Sequence, residues 1–282
     1  MTNAANTPSL PSLPKRRVTT PGIMLTVLIA LLPAIAVRAW FAGHAWLLML
    51  LASCLVAILL ETLVLRLRGR PVSLARLDGS VLITAVLLLL VLPAATPWWL
   101  AVTGTGFAVI VGKHMFGGLG QNIFNPVLVG YLGLLALFPM HLTSPAAMTL
   151  AGNQSLATVS LSLAIMAGGL LLLGRRIISW HIPLAVLLTT GLVFYVFTPA
   201  LNSYLALLLV FFIATEPVTS PGTRRGKLVY GALIGLMSTA LTFWLPYSVA
   251  IAATVLAANA VTPTIDQLIR HDRKRHQPQE GV

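Results

Sequence analysis

Acidic residues are scarce in this chain: six Asp and Glu in 282 residues, against 18 Lys and Arg. Charged residues of both signs make up only 9%, where a soluble domain carries roughly 25%, and 57% of residues are hydrophobic. That balance excludes a soluble globular protein. Cysteine is almost absent as well. Cys54, standing alone, can form neither an intramolecular disulfide nor a thiolate metal site, and it reads as a small apolar packing residue. The six histidines are scattered, with no pair at helical metal-ligand spacing, so no metal centre is expected. A Gly-rich loop of P-loop or dinucleotide type is also missing, which excludes an ATPase and a nicotinamide-binding domain.

What the chain does have is uncharged length. Stretches without Asp, Glu, Lys or Arg run over 18–37, 39–60, 79–112, 114–174, 177–215 and 228–265. A membrane-spanning helix needs about 20 apolar residues. The first two stretches hold one helix each, and the other four hold two each around a turn. Breakers mark those turns at Pro93 to Pro97, Ser144 to Gln154, Pro199 to Ser203 and Pro246 to Ser248. The expectation is an all-α polytopic membrane protein with helices near 21–40, 44–65, 79–94, 98–113, 124–142, 159–174, 180–197, 203–215, 228–245 and 247–264. One membrane domain then covers 19–266, between an N-terminal tail, 1–18, and a basic tail, 267–282.

Ten spans put both termini on one side, and the positive-inside rule tests that arrangement. Of the 18 Lys and Arg, all but Arg38 fall on the face that also holds the termini. Both ends are therefore read as cytoplasmic, and Arg38 as the one basic residue outside. The basic loops are topology signals that also attract anionic lipid; they do not indicate nucleic-acid binding. Lys15, Arg16 and Arg17 precede an apolar run too long for a signal peptide and without a cleavage site, so that run is a retained first helix. Trp98, Trp99, Trp180 and Trp244 fall at expected membrane edges, as an aromatic belt would place them.

Ionisable groups in or beside a membrane are costly and often functional. Glu61, near the end of the second helix, reads as a boundary charge able to pair with Arg66, or as part of an ion path. Asp78 is a favourable first residue for the third helix. Glu216 differs, because it follows an apolar run directly and precedes Pro217. A helix ending there leaves carbonyls and a carboxylate at membrane depth, an arrangement that suits cations. The segment Gly112 to Pro126 contains Lys113, His114, Asn122 and Asn125, and its glycines Gly112, Gly117, Gly118 and Gly120 free the backbone. It forms either a tight turn or a ligand-approaching loop.

Three segments in order resemble the signatures of one family: Gly117-Gly118-Leu119-Gly120-Gln121-Asn122 with Phe124-Asn125-Pro126; Phe212-Ile213-Ala214-Thr215-Glu216-Pro217-Val218-Thr219; and Gly226-Lys227-Leu228-Val229-Tyr230-Gly231 to Gly235. The family comprises the D subunit of the Rnf ion-translocating oxidoreductase and the related B subunit of the sodium-pumping NADH:quinone reductase. Ile23-Met24-Leu25, Leu31-Leu32-Pro33 and Trp180-His181-Ile182-Pro183 resemble the Rnf member in particular. The resemblance implies two five-helix halves in a complex of the bacterial inner membrane. That complex passes electrons between ferredoxin and NAD through iron-sulfur clusters and flavins, coupled to Na⁺ or H⁺ movement, so this chain would have the other subunits as partners.

The resemblance also implies FMN esterified through its phosphate to a Thr, on the extracytoplasmic side. Here Ser155-Leu156-Ala157-Thr158 is the matching motif and Thr158 the attachment point. Residues 143–158 form a shorter stretch between the fifth and sixth helices than the family's, and Thr158 can equally be a helix-start residue capping backbone amides. Glu216, with Thr215 beside it, stands where relatives have Asp, and His114 where quinone-reductase relatives have an acid; with Glu61 these are the ion-path candidates. Asn122 and Asn125 are candidates to line a flavin or ion path, with a second, noncovalent flavin as one occupant. Two alternatives stay open: a flavin-less scaffold and ion path in the same complex, and a stand-alone small-solute transporter.

Overall fold

A computed structural model of the chain describes residues 19–70, 79–143, 156–197 and 203–275. Asp78, Ser155, Lys15 to Arg17 and the expected turns at 144–154 and 199–202 lie outside the described residues. Helix α1 (Thr20–Ala42) has Pro21 in its first turn, where proline is tolerated, and is capped at its end by Gly43. The φ of 80° at Gly43 is left-handed, and α2 (His44–Leu67) starts at the next residue. Next come α3 (Ser80–Val91) and α4 (Trp98–Phe107), which continues as a π-helical segment, Ala108–His114. The chain goes on through α5 (Pro126–Leu137), a short α6 (Pro139–Thr143), α7 (Leu156–Gly174) and α8 (His181–Phe197). Helix α9 (Ser203–Leu208) again continues as a π-helical segment, Leu209–Ile213, before α10 (Arg224–Leu241) and α11 (Tyr247–Arg275).

Each expected helix overlaps one of these rods, with two differences. The expected fifth helix is divided at Phe138 into α5 and α6, and residues 267–275, expected as tail, continue α11. Among the described residues α1, α2, α7 and α11 as far as His271 are long and apolar enough to cross a membrane; α3, α5, part of α8 and the α9 rod are shorter apolar helices. Leu51, Leu55, Leu59 and Leu63 form an exposed row along α2 at helical spacing. A continuous apolar row of that kind is a liability in water and the natural surface in lipid. Trp98, Trp99, Trp180 and Trp244 are all exposed.

Helix α3 is apolar on every face and correspondingly buried from Thr84 to Val91. Lipid gives apolar helices no hydrophobic reason to associate, so close packing at small residues must hold them. Gly231 and Gly235, four apart on α10, lie against Ile182, Ala185, Val186 and Thr189 of α8. Gly130 of α5 meets the Gly104 carbonyl and Ala108 of the α4 rod, and Gly112 meets the Pro126 backbone. Gly168 of α7 sits on the Ala30 carbonyl of α1, with the Phe212 ring beside it. A side chain at any of these positions would force helices apart.

Candidate functional site

Two of the signature segments, distant in sequence, meet at one carboxylate. In both, a π-helical segment ends a rod and opens into the loop that carries the signature residues. The first loop turns through Gly117, Gly118 and Gly120 at φ of 118°, 106° and 83°, values closed to other residues without strain. It delivers Asn125 to the start of α5, where the side-chain oxygen accepts from the amides of Val127 at 3.0 Å and Leu128 at 3.4 Å, with Pro126 in the first turn. The side-chain nitrogen of the same Asn125 donates to Glu216 Oε2 at 2.8 Å. Asn122 Nδ2 donates to Glu216 Oε1 at 3.2 Å, and Thr219 Oγ1 to Oε2 at 3.3 Å.

Glu216 is half-buried, and its hydrogen-bond donors among the described residues are all neutral. They orient the carboxylate without cancelling its charge, which leaves it able to take a proton or a hard cation. A second layer fixes the cradle. Asn259 Oδ1 of α11 accepts from the Asn125 backbone at 3.0 Å, and Asn259 Nδ2 donates to the Thr219 carbonyl at 3.2 Å and to Tyr230 Oη at 2.7 Å.

Glu216 lines a cavity of about 400 Å³ with Ser80, Lys113, Asn122, Asn125 and Thr215. Lys113 Nζ lies 2.6 Å from Glu61 Oε1 and 2.6 Å from Ser80 Oγ, and both charged side chains are nearly inaccessible, at 4% and 3% exposed. The sequence offers Glu61 its neighbour Arg66 as a possible partner; the structure gives it a lysine from another rod, carried by the π-helical segment. Thr215 Oγ1 donates to the Phe211 carbonyl at 2.8 Å. His114 is buried, and its carbonyl accepts from Arg68 Nη2. Thus Asn122, Asn125, Thr215 and Glu216 share one cavity wall, Glu61 reaches it through Lys113, and His114 lies next to Lys113 in the chain.

Thr158 belongs to a different cavity, of about 430 Å³, which it lines with Arg38, Phe41, Ala157, Leu161 and Tyr204. It is buried and is the third residue of α7 as described, one turn before Ser162, whose hydroxyl donates to the Thr158 carbonyl at 2.8 Å. That position is inside the helix and is not its capping residue. The same three rods line both cavities at opposite ends: α1 with Val27 and Val37, α7 with Leu172 and Thr158, and the α9 rod with Phe212 and Tyr204. Val27 to Val37 corresponds to about 15 Å of helix. Between the cavities Ala30, Leu31, Ala34, Ile165, Leu208 and Leu209 form an apolar plug, none more than 2% exposed.

Lys113, Ser80, Asn259, Tyr230 and Arg38 are the residues that sequence reasoning missed or placed only as topology markers. A signal existed for three of them. Lys113 is the only charge between two long charge-free stretches, Asn259 is an amide inside another, and Arg38 is the lone cation of its side.

The family model described as NQR2, RnfD, RnfE matches residues 9–275. The chain belongs to the NQR2, RnfD, RnfE family. Among its relatives, the D subunit of the ion-translocating oxidoreductase complex of Aeromonas hydrophila is 36% identical over 323 aligned positions, covering 88% of this chain and 92% of that protein. The proteins of the same name from Aeromonas salmonicida and Salmonella paratyphi B are 35% and 34% identical, at the same coverage. The 323 aligned positions exceed the 282 residues of this family member, so its relative carries residues that this chain lacks.

Proposed function

We propose that this chain is the D-type membrane component of an Rnf-type complex in a bacterial inner membrane, with ten spans and both termini cytoplasmic. In this reading the complex transfers electrons between ferredoxin and NAD and couples the transfer to Na⁺ or H⁺ translocation. The observation that carries the reading is the Glu216 carboxylate, held by Asn122 and Asn125 from the other signature segment beside a cavity shared with Lys113. A charge kept at a broken helix end, with a cavity next to it, is where a coupling ion binds or a proton resides. The same cavity is large enough for part of a noncovalent flavin.

FMN on Thr158 fits the second cavity. Its volume of about 430 Å³ lies within the range of cofactor pockets. The buried Arg38 Nε on its wall has no partner among the described residues. When bound, FMN supplies the electron-carrying chemistry that none of these side chains offers; the chain's part is to hold the group, exclude water and set the local charge. One observation favours the second reading, a scaffold and ion path without covalent flavin: the relative carries residues that this chain lacks. The relatives' shared name as parts of a complex speaks against a stand-alone transporter.

Glu216→Gln keeps the shape of the carboxylate and removes its charge. In membrane vesicles containing the assembled complex, ion uptake driven by electron transfer is expected to fall at least about tenfold, the loss of one buried charged interaction, with assembly intact. Uptake equal to that of the unaltered complex would overturn the ion-path role.

A further inference from the structure

We propose that Arg38, with Tyr204, forms the phosphate seat of the Thr158 cavity and is what secures a flavin phosphoester there. This rests on the reading of Thr158 as the attachment point. Arg38 is the only Lys or Arg outside the basic face of the charge distribution, so the positive-inside pattern does not account for it. It projects from the last turns of α1 and lines the same cavity as Thr158. One arm is used structurally: Nη2 donates to the carbonyl of Leu92 at 3.0 Å, at the end of α3, where a cation also meets the negative end of the helix dipole. The other side of the fork is different. Nε is buried and has no hydrogen-bond partner among the described residues.

Leaving a guanidinium N–H unsatisfied at a cavity wall is costly, and the cost is removed by an acceptor that occupies the cavity. A phosphate joined by ester bonds to a threonine and to a ribityl chain keeps one negative charge and two free oxygens. That is the chemistry a planar, permanently charged fork recognises best. Tyr204, 4% exposed and on the same wall, accepts a hydrogen bond from the guanidinium at its phenolic oxygen, and its own O–H remains a second donor for the phosphate. Arg38 is a positioning residue here. The Leu92 carbonyl fixes the guanidinium, and the guanidinium fixes the phosphate.

The test uses the full complex, expressed with its other subunits and a flavin transferase, and reads ultraviolet fluorescence of the denatured chain per amount of chain. The unaltered chain is expected to fluoresce and Thr158→Val to be dark. Arg38→Gln should lose at least about fivefold of the fluorescence at unchanged complex yield, Arg38→Lys should keep most of it, and Tyr204→Phe should lose about half, as charged and neutral donors to phosphate differ in strength. If Arg38→Gln fluoresces like the unaltered chain, the phosphate seat is overturned while the Thr158 reading stands. If the unaltered chain is dark, or Thr158→Val fluoresces, the Thr158 reading itself fails and the seat with it. Should Arg38→Gln fail to assemble, Tyr204→Phe decides, because it leaves the Leu92 bond alone: reduced fluorescence supports the seat and full fluorescence overturns it.

Discussion

The two cavities are lined by opposite ends of the same three helices, yet they are built from different chemistry. Around Glu216 the polar groups come from five separate segments, and each is tied to another: carboxylate to two amides and a hydroxyl, amide to amide, lysine to glutamate and serine. Around Thr158 the polar groups are few, and the one cation on the wall, Arg38, keeps a buried Nε without a partner among the described residues. A cross-linked network fixes geometry in advance, as suits the proposed ion site. A sparsely bonded one suits the covalently held group proposed for it. The apolar plug between them keeps water from joining the two ends.

The largest expected effect breaks the Glu216 side. Lys113→Met leaves the Glu61 carboxylate buried without its cation, at a cost of about 3–5 kcal/mol. Thermal unfolding of the purified complex should show a markedly lower midpoint. Adding Glu61→Leu removes the stranded charge, so the double variant should recover most of the loss. If the two losses instead add, the 2.6 Å contact is not an energetic pair. The Thr158 cavity contains neither residue, so the amount of the covalent flavin proposed there should not change per assembled chain.

A smaller effect sharpens the role of the plug. Gly168→Val drives a side chain into the Ala30 carbonyl and the Phe212 ring, and backbone cannot yield as a flexible side chain can. Overpacking of this kind costs about 1–3 kcal/mol. Gly174 is the control, because a Cβ there meets nothing within 4 Å. Gly174→Ala should unfold like the unaltered protein, and equal losses at the two glycines would contradict the close approach of α1 and α7.

The helices were legible because hydrophobic length and charge spacing are one-dimensional signals, and every expected rod has its counterpart among the described residues. Glu216, Asn122 and Asn125 were legible as separate points. Their meeting was not, because it depends on two π-helical segments that shift the exit of each rod, and no periodicity in the sequence announces them. The same shift hid the partner of Glu61: Arg66 is near in sequence, whereas Lys113 is brought close only by the fold. Arg38 was visible throughout as a solitary charge, but the buried Nε that gives it significance is a three-dimensional fact.

The smallest effect is expected where the Glu216 side is anchored to the rest of the bundle. Tyr131 of α5 is 1% exposed, and its hydroxyl donates to Ser248 Oγ in the first turn of α11 at 2.8 Å. Interhelical hydrogen bonds of this kind average about 0.6 kcal/mol in membrane proteins, because the separated helices find other partners. Tyr131→Phe and Ser248→Ala should therefore each lower the unfolding midpoint slightly, and the double variant should lose no more than the larger single one. A strong effect on ion uptake from either change, without loss of stability, would mean that the Glu216 cradle depends on α5 and α11 holding a fixed distance. Asn259 already links those helices near the cradle, so the expected outcome is that Tyr131 contributes stability and little else.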